Sequence, residues 1–275
     1  MKNSIQCLVG LALVAGASGV SASCTDVSWA QLKNAMKYAA DKETGETGGY
    51  GLNMWATFVD ETGMVCAVAT NGVTGAAAGN NEWLGSRVIS AQKANTANAF
   101  SLDGYAISTA NLYAPVQPGG SLYGLQFSNP VDAGQAYDGS PYSYGTTNDA
   151  LRGHRIGGVN VFGGGLAVYK GGKKVGAIGV SGDTSCRDHA FAWKMRMKLG
   201  MQPGGVGITT ANFTATGGTP PASGGTVGDE AIISLSGQFN QASNYWTAWA
   251  QPACPNSLNG AGTAAIGPGT LVTGP

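Results

Sequence analysis

Two tight turns constrain this chain more than any other feature. Leu52-Asn53-Met54-Trp55-Ala56-Thr57-Phe58-Val59 reads as a strand, Asp60-Glu61-Thr62-Gly63 as a turn, and Met64 to Thr70 as the returning strand. The pattern recurs at Gly165 to Tyr169 and Lys174 to Val180, around Gly171-Gly172. Each hairpin is followed by a segment of helical period. Ser86 to Phe100 carries Ala91, Ala94, Asn95, Ala97 and Asn98, a small-residue surface suited to close packing on a sheet or a ligand. Asp188 to Leu199 sets Phe191, Met195 and Leu199 on one face and stops at Gly200, with Asp183 or Asp188 as the expected cap. A first helix, Ser28 to Lys42, is marked by the capping-box spacing of Ser28 and Gln31 and by Trp29, Leu32, Met36, Ala39 and Ala40. Hairpin, helix, hairpin, helix predicts an α+β domain: an antiparallel sheet of hairpins with helices packed on it.

Between the hairpins, residues 103 to 165 have no sustained period and are studded with Gly, Pro, Asn and Tyr, the mark of a functional or interacting segment. From Pro203 onward Gly, Thr, Ala, Ser and Pro dominate, relieved by Ala231 to Leu235 and by Phe239, Tyr245, Trp246 and Trp249. Much of that stretch reads as linker or disordered tail. The 45 glycines are therefore shared among turns, the middle segment and the C-terminal region, and they follow no G-x-y period, which excludes collagen. Only 11% of residues are charged, 15 basic against 15 acidic. That balance excludes a disordered polyampholyte, a coiled coil and an electrostatically driven nucleic-acid binder.

Residues 1–22 read as a signal peptide: Lys2, an uncharged apolar run from Ile5 to Val20, then Val20-Ser21-Ala22 as a cleavage site. The run is shorter than the roughly 20 residues that span a bilayer, so the expectation is an exported protein, periplasmic or extracellular, without a transmembrane segment. Lipidation at Cys24 competes poorly, because no Leu stands three places before it. Export leaves Cys24, Cys66, Cys186 and Cys254, an even set that suggests two disulfides in one of three connectivities, and the absence of C-x-x-C together with the long spacings argues against a zinc site. Cys24 with Cys66 and Cys186 with Cys254 is preferred, because the second bridge would pin the C-terminal segment to the core. The expected organisation is residues 1–22 as signal, 23–202 as the domain, and 203–275 as an extension that docks around 229–254.

Ser90-Ala91-Gln92-Lys93-Ala94-Asn95-Thr96-Ala97 on the second helix and Gly176-Ala177-Ile178-Gly179-Val180-Ser181-Gly182-Asp183 ending the second hairpin resemble two motifs of the GlcG/HbpS-type haem-binding, haem-degrading-like family. The resemblance covers Ser28 to Gly200. Leu122-Tyr123-Gly124-Leu125-Gln126-Phe127-Ser128-Asn129-Pro130 and Gly157-Gly158-Val159-Asn160-Val161-Phe162-Gly163-Gly164-Gly165 resemble a subfamily with a long middle insertion. The resemblance implies a profilin-like α/β/α layer, homo-oligomers, and binding of haem or a related tetrapyrrole, with haem breakdown in some members. After the second strand the chain departs from the family: Thr70-Asn71-Gly72-Val73-Thr74-Gly75-Ala76 stands where many members carry R-M-D-G-A.

A haem site needs an apolar slot, an axial donor such as His, Met, Tyr or Cys, and cations or backbone N–H groups for the propionates. The chain has two histidines. His189, at the start of the last helix beside Ser181 and Asp183, is the candidate axial ligand; its alternative is a helix-start residue bonding locally. His154 stands in Arg152-Gly153-His154-Arg155, where the arginines could meet carboxylates; its alternative is a surface loop residue. Lys93 and Thr96, three apart, share a helix face and could offer a cation and a hydroxyl, or simply be a solvated face. Tyr123 and Phe127, with Tyr113, could line an aromatic slot or pack a core. Gly179-Val180-Ser181-Gly182-Asp183 joins strand to helix as a nucleophile elbow does, but its fifth residue is Asp and the strands are antiparallel, which argues against a Ser/His/Asp hydrolase. The leading expectation is an exported, oligomeric haem- or tetrapyrrole-binding protein acting by sequestration, transfer or sensing. The alternatives are a haem-degrading or small-molecule enzyme in the same pocket and a structural envelope module.

Overall fold

The computed structural model describes residues 24–43 and 49–203, together with 209–210, 229, 234–235 and 251–252. The signal-peptide reading, Cys254 and nearly all of the C-terminal extension lie outside the described residues. Along the chain come α1 (Trp29–Asp41), β1 (Trp55–Asp60), β2 (Val65–Thr70), the single turn α2 (Ala78–Asn81) and α3 (Gly85–Phe100). Then follow β3 (Tyr105–Ala106), the short α4 (Leu125–Ser128) and α5 (Ala133–Ala136), β4 (Gly165–Lys170), β5 (Lys173–Ser181) and α6 (Ser185–Leu199). Three two-residue strands end the list: β6 (Thr209–Thr210), β7 (Ser234–Leu235) and β8 (Gln251–Pro252).

The two hairpins join through their inner strands into one antiparallel sheet of order β2-β1-β5-β4. In β1, alternate side chains serve opposite faces: Ala56 and Phe58 pack with α1 and α6, whereas Trp55 and Val59 pack with α3. Leu32, Met36, Phe191 and Met195 fill the first layer, and Val88, Ala91, Ala94 and Ala97 the second. The result is the expected α+β fold, three layers of helix, sheet and helix.

The predicted capping box is formed: Ser28 accepts from the Gln31 backbone N–H while the Gln31 side chain takes the Ser28 N–H. α6 begins three residues earlier than the sequence pattern indicates, and its cap is Thr184, which accepts from Arg187 N. Neither Asp183 nor Asp188 caps it. Both carboxylates are committed to other partners described below. Cys24 is bonded to Cys66. Cys186 is also disulfide-bonded, but its expected partner Cys254 is outside the described residues.

The middle segment folds over α3 and both edges of the sheet without long regular elements. At the β2 edge, Gly153 N donates to Val65 O (2.8 Å) and Val65 N donates to His154 O (2.9 Å), while Trp29 Nε1 donates to Val68 O. At the β4 edge, Thr109 N donates to Gly165 O, Arg196 to Ala167 O, and Tyr169 N to Met201 O. β6 pairs in parallel with β3, so Thr209–Thr210 of the extension touch the domain.

Candidate functional site

The family-like motifs meet where α3 and α6, from opposite faces, reach the end of β5. Lys93 of α3 lies fully buried, with its ammonium 2.7 Å from Asp188 Oδ2 and 3.0 Å from Val180 O. The same cation stands 4.2 Å from the centroid of the Phe162 ring. Asp188 takes its second contact from the Asp183 backbone N–H. Burial disfavours charge on both partners, pushing Lys93 down and Asp188 up to about 6, while their mutual attraction opposes each shift.

His189 is next to this pair and entirely buried. Its Nδ1 accepts from Gly164 N (3.2 Å), which leaves the proton on Nε2, where it donates to Asp229 O (3.1 Å). Burial, with help from Arg196 and Lys93 and against Asp229, lowers its pKa to about 4, so the ring is neutral. Neither nitrogen offers a lone pair to iron, so the expected axial role of His189 does not fit this arrangement. The same commitments leave Ser181 without a histidine base, which removes the hydrolase reading.

The other predicted residues here are equally engaged. Thr96 donates to Gln92 O and accepts from Asn160 N, holding the middle segment against α3. Asp183 accepts from the backbone N–H groups of Tyr50, Leu52 and Thr184 and pairs with Arg187. Lys93, Asp183, Asp188 and His189 thus form one cluster with Thr96 a turn along α3, but the cluster is a sealed joint between layers and no open slot. Tyr123 and Phe127 are separate from it, on the 114–128 segment, with 63% and 76% of their surfaces exposed. They line no core.

Protons titrate this joint in opposite senses. The unfolded chain protonates His189 near pH 6.5, but the folded chain resists until about pH 4, so His189 withdraws stability as pH falls through that window. Asp188, raised to about 6, adds stability as pH falls from there toward 3.8. Comparing wild type with His189→Gln isolates the imidazole: wild type should lose a few kcal/mol relative to the variant between pH 6.5 and 4. Urea midpoints at pH 7, 5 and 4 measure this, and parallel curves for the two proteins contradict it.

Three features, two of them buried and one partly buried, carry no sequence period. Arg87 makes a two-pronged contact with Asp149 (2.9 and 2.5 Å) beneath the Tyr144 ring. Arg196 makes another with Asp229, tying the extension to α6. At Thr70, the end of β2, charge comes from elsewhere in the chain: Lys33 donates to Thr70 O, and Glu82 accepts from Thr70 Oγ1. Burial pulls Lys33 down and pushes Glu82 up.

His154 differs from His189 in every respect that bears on metal ligation. It is half-buried, and its ring nitrogens make no hydrogen bond among the described residues. Its backbone is pinned to the β2 edge. Arg152 Nε donates to Cys66 O and Arg155 Nε to Thr62 O, so two cations flank the ring in sequence, each tied to the first hairpin. Of the two histidines, His154 keeps its ring nitrogens uncommitted among the described residues, whereas both ring nitrogens of His189 are engaged.

Fold and site together define an α/β/α protein with a closed polar joint at its centre and its open imidazole on a sheet edge. Residues 27–196 match the family described as haem degrading protein HbpS-like, and the chain belongs to that family. Among solved structures, a PduOC:heme complex superposes with a TM-score of 0.42 at 21% identity, covering 63% of this chain and 93% of that one. The Klebsiella pneumoniae protein ORFY, of family DUF336, superposes with a TM-score of 0.41 at 24% identity, covering 63% and 90%. No match is found among curated proteins. No helix among the described residues is long and apolar enough to cross a membrane.

Proposed function

We propose that this is an exported haem-binding protein that sequesters or transfers its ligand, with His154 as the axial donor. Family membership is the observation that carries the reading of haem as ligand. The apolar leader pattern of residues 1–22 supports export. The choice of His154 rests on elimination within the chain's two histidines, because His189 has both ring nitrogens engaged. Arg152 and Arg155 then supply charge for the propionates. Haem would bring its own iron chemistry, while the chain's part is to hold and orient it.

Titration of the purified protein with haemin should produce a shifted Soret band saturating near one equivalent. His154→Ala should weaken binding by about tenfold or more, equivalent to about 1.4 kcal/mol, while His189→Gln should leave the band position unchanged. A wild-type spectrum identical to free haemin, with the fold intact by circular dichroism, overturns the reading. Turnover of haem is the second reading, favoured by the family's description as haem degrading. Product formed from bound haem under peroxide or reductant, above that of free haemin, decides for it.

A further inference from the structure

The first hairpin holds a group of side chains that the haem reading does not use. Asp60, at the end of β1, is wholly buried. Its Oδ1 accepts from Thr62 N (2.9 Å), Thr62 Oγ1 (2.7 Å) and Met64 N (3.0 Å), which fixes the carboxylate across the turn. Its Oδ2 is buried with no hydrogen-bond partner. A carboxylate oxygen of Asp60 and the sulfurs of Cys24 and Cys66 all lie within 4.8 Å of one another. Asp60 and Phe58 are two apart on β1, so Asp60 faces the same layer as Cys66. Cys24 is only partly buried and precedes α1, which opens the group to solvent from one side.

We propose that the Cys24–Cys66 disulfide masks a site for a thiophilic divalent cation of the Zn2+ class, with Cys24, Cys66 and Asp60 as ligands and water in the fourth position. A buried carboxylate oxygen without a partner is expensive unless something positive or protonated meets it. Two thiolates and a carboxylate are a donor set that zinc accepts, at about 2.3 Å to sulfur and about 2.0–2.2 Å to oxygen. The hydrogen bonds to Oδ1 orient the ligand from behind, as outer partners do in metal sites.

A phosphine with water, leaving as the phosphine oxide, unmasks the site, and so does a dithiol reductant. Its thiolate attacks one sulfur, the S–S bond breaks, and the second thiolate of the reductant resolves the mixed disulfide. The reductant leaves as a cyclic disulfide, having given two electrons, and Cys24 and Cys66 leave as thiols. Each thiol then releases its proton as the cation binds. Oxidation of the two thiolates by a disulfide reverses the sequence and expels the metal. The site is thus closed in an oxidising compartment and open in a reducing one.

The test uses the purified protein, reduced with a phosphine that does not compete for metal, and then titrated with Co2+ and Zn2+. Reduced wild type should take up one equivalent of Co2+ with intense thiolate-to-cobalt absorption that Zn2+ displaces, and oxidised wild type should take up none. Asp60→Asn preserves shape and the Oδ1 acceptor, and should weaken Co2+ binding at least about tenfold. Cys186→Ser should bind as wild type does, which separates this site from the other reducible sulfur. The proposal is overturned if reduced wild type binds no more metal than oxidised, if Asp60→Asn binds equally well, if binding follows Cys186, or if reduction abolishes the circular dichroism of the fold. None of these results depends on haemin.

Discussion

Lys93→Met is expected to lower the unfolding free energy by about 3–5 kcal/mol, the range for removing one partner of a buried ion pair. Lys93 and Asp188 are both wholly buried, and the Lys93 ammonium is the only cation bonded to the Asp188 side chain among the described residues. Without it the Asp188 carboxylate keeps one contact, from Asp183 N, in a place that already disfavours its charge. In the variant the Lys93 attraction that holds Asp188 down to about 6 is gone, so protonation relieves part of the loss above that pH, and the deficit should shrink as pH falls toward about 6 and level off below it. A double variant, Lys93→Met with Asp188→Leu, removes both charges and should recover most of the stability. Denaturant midpoints at pH 7 give the cycle. A single-variant loss below about 1 kcal/mol would show that the pair is dispensable.

Gly179→Ala should be nearly as damaging, at about 3 kcal/mol, the upper part of the overpacking range. Gly179 sits on β5 directly beneath α3, where a methyl group would lie 2.0 Å from Ser90 O and 2.4 Å from Ala94 N. Both obstacles are helix backbone, which no rotamer change can clear. α3 must therefore lift from the sheet, loosening Ala91 and Ala94 in the core and the Thr57–Ser90 contact of 2.8 Å. Thermal unfolding monitored by tryptophan fluorescence should show the drop. A variant within about 1 kcal/mol of wild type would mean that the helix is not seated on this glycine.

Much of the fold was legible because it is local. The Ser28–Gln31 spacing, the turns at Asp60–Gly63 and Gly171–Gly172, and the small residues of Ser86 to Phe100 each specify an element within a few residues of chain. The start of α6 was misplaced because two acidic residues near Thr184 are equally good caps by composition. The difference lies in long-range demand: Asp183 is drawn to Tyr50, Leu52 and Arg187, and Asp188 to Lys93. The same cause limited the site. Sequence brings Lys93, Ser181, Asp183 and His189 toward one place, but it does not say that Lys93, Asp183 and His189 are already satisfied by the protein itself. Arg87 and Asp149 are 62 residues apart, the latter in a segment without period, so nothing along the chain announces their pairing. His154 was legible only as a residue type, and its openness emerges once every partner of His189 is known.

The loop and side-chain groups that occupy both borders of the sheet have a consequence for how copies of this chain can meet. Unpaired strand borders are templates on which neighbouring chains can extend a sheet without limit. Here Gly153, His154 and Trp29 occupy the β2 border, and Thr109, Arg196 and Met201 the β4 border. Assembly is thereby turned away from fibre-like growth toward contacts of finite size between side chains. In a chain with only 11% charged residues, where electrostatic repulsion between copies is weak, the blocked borders are what stands against edge-to-edge strand pairing.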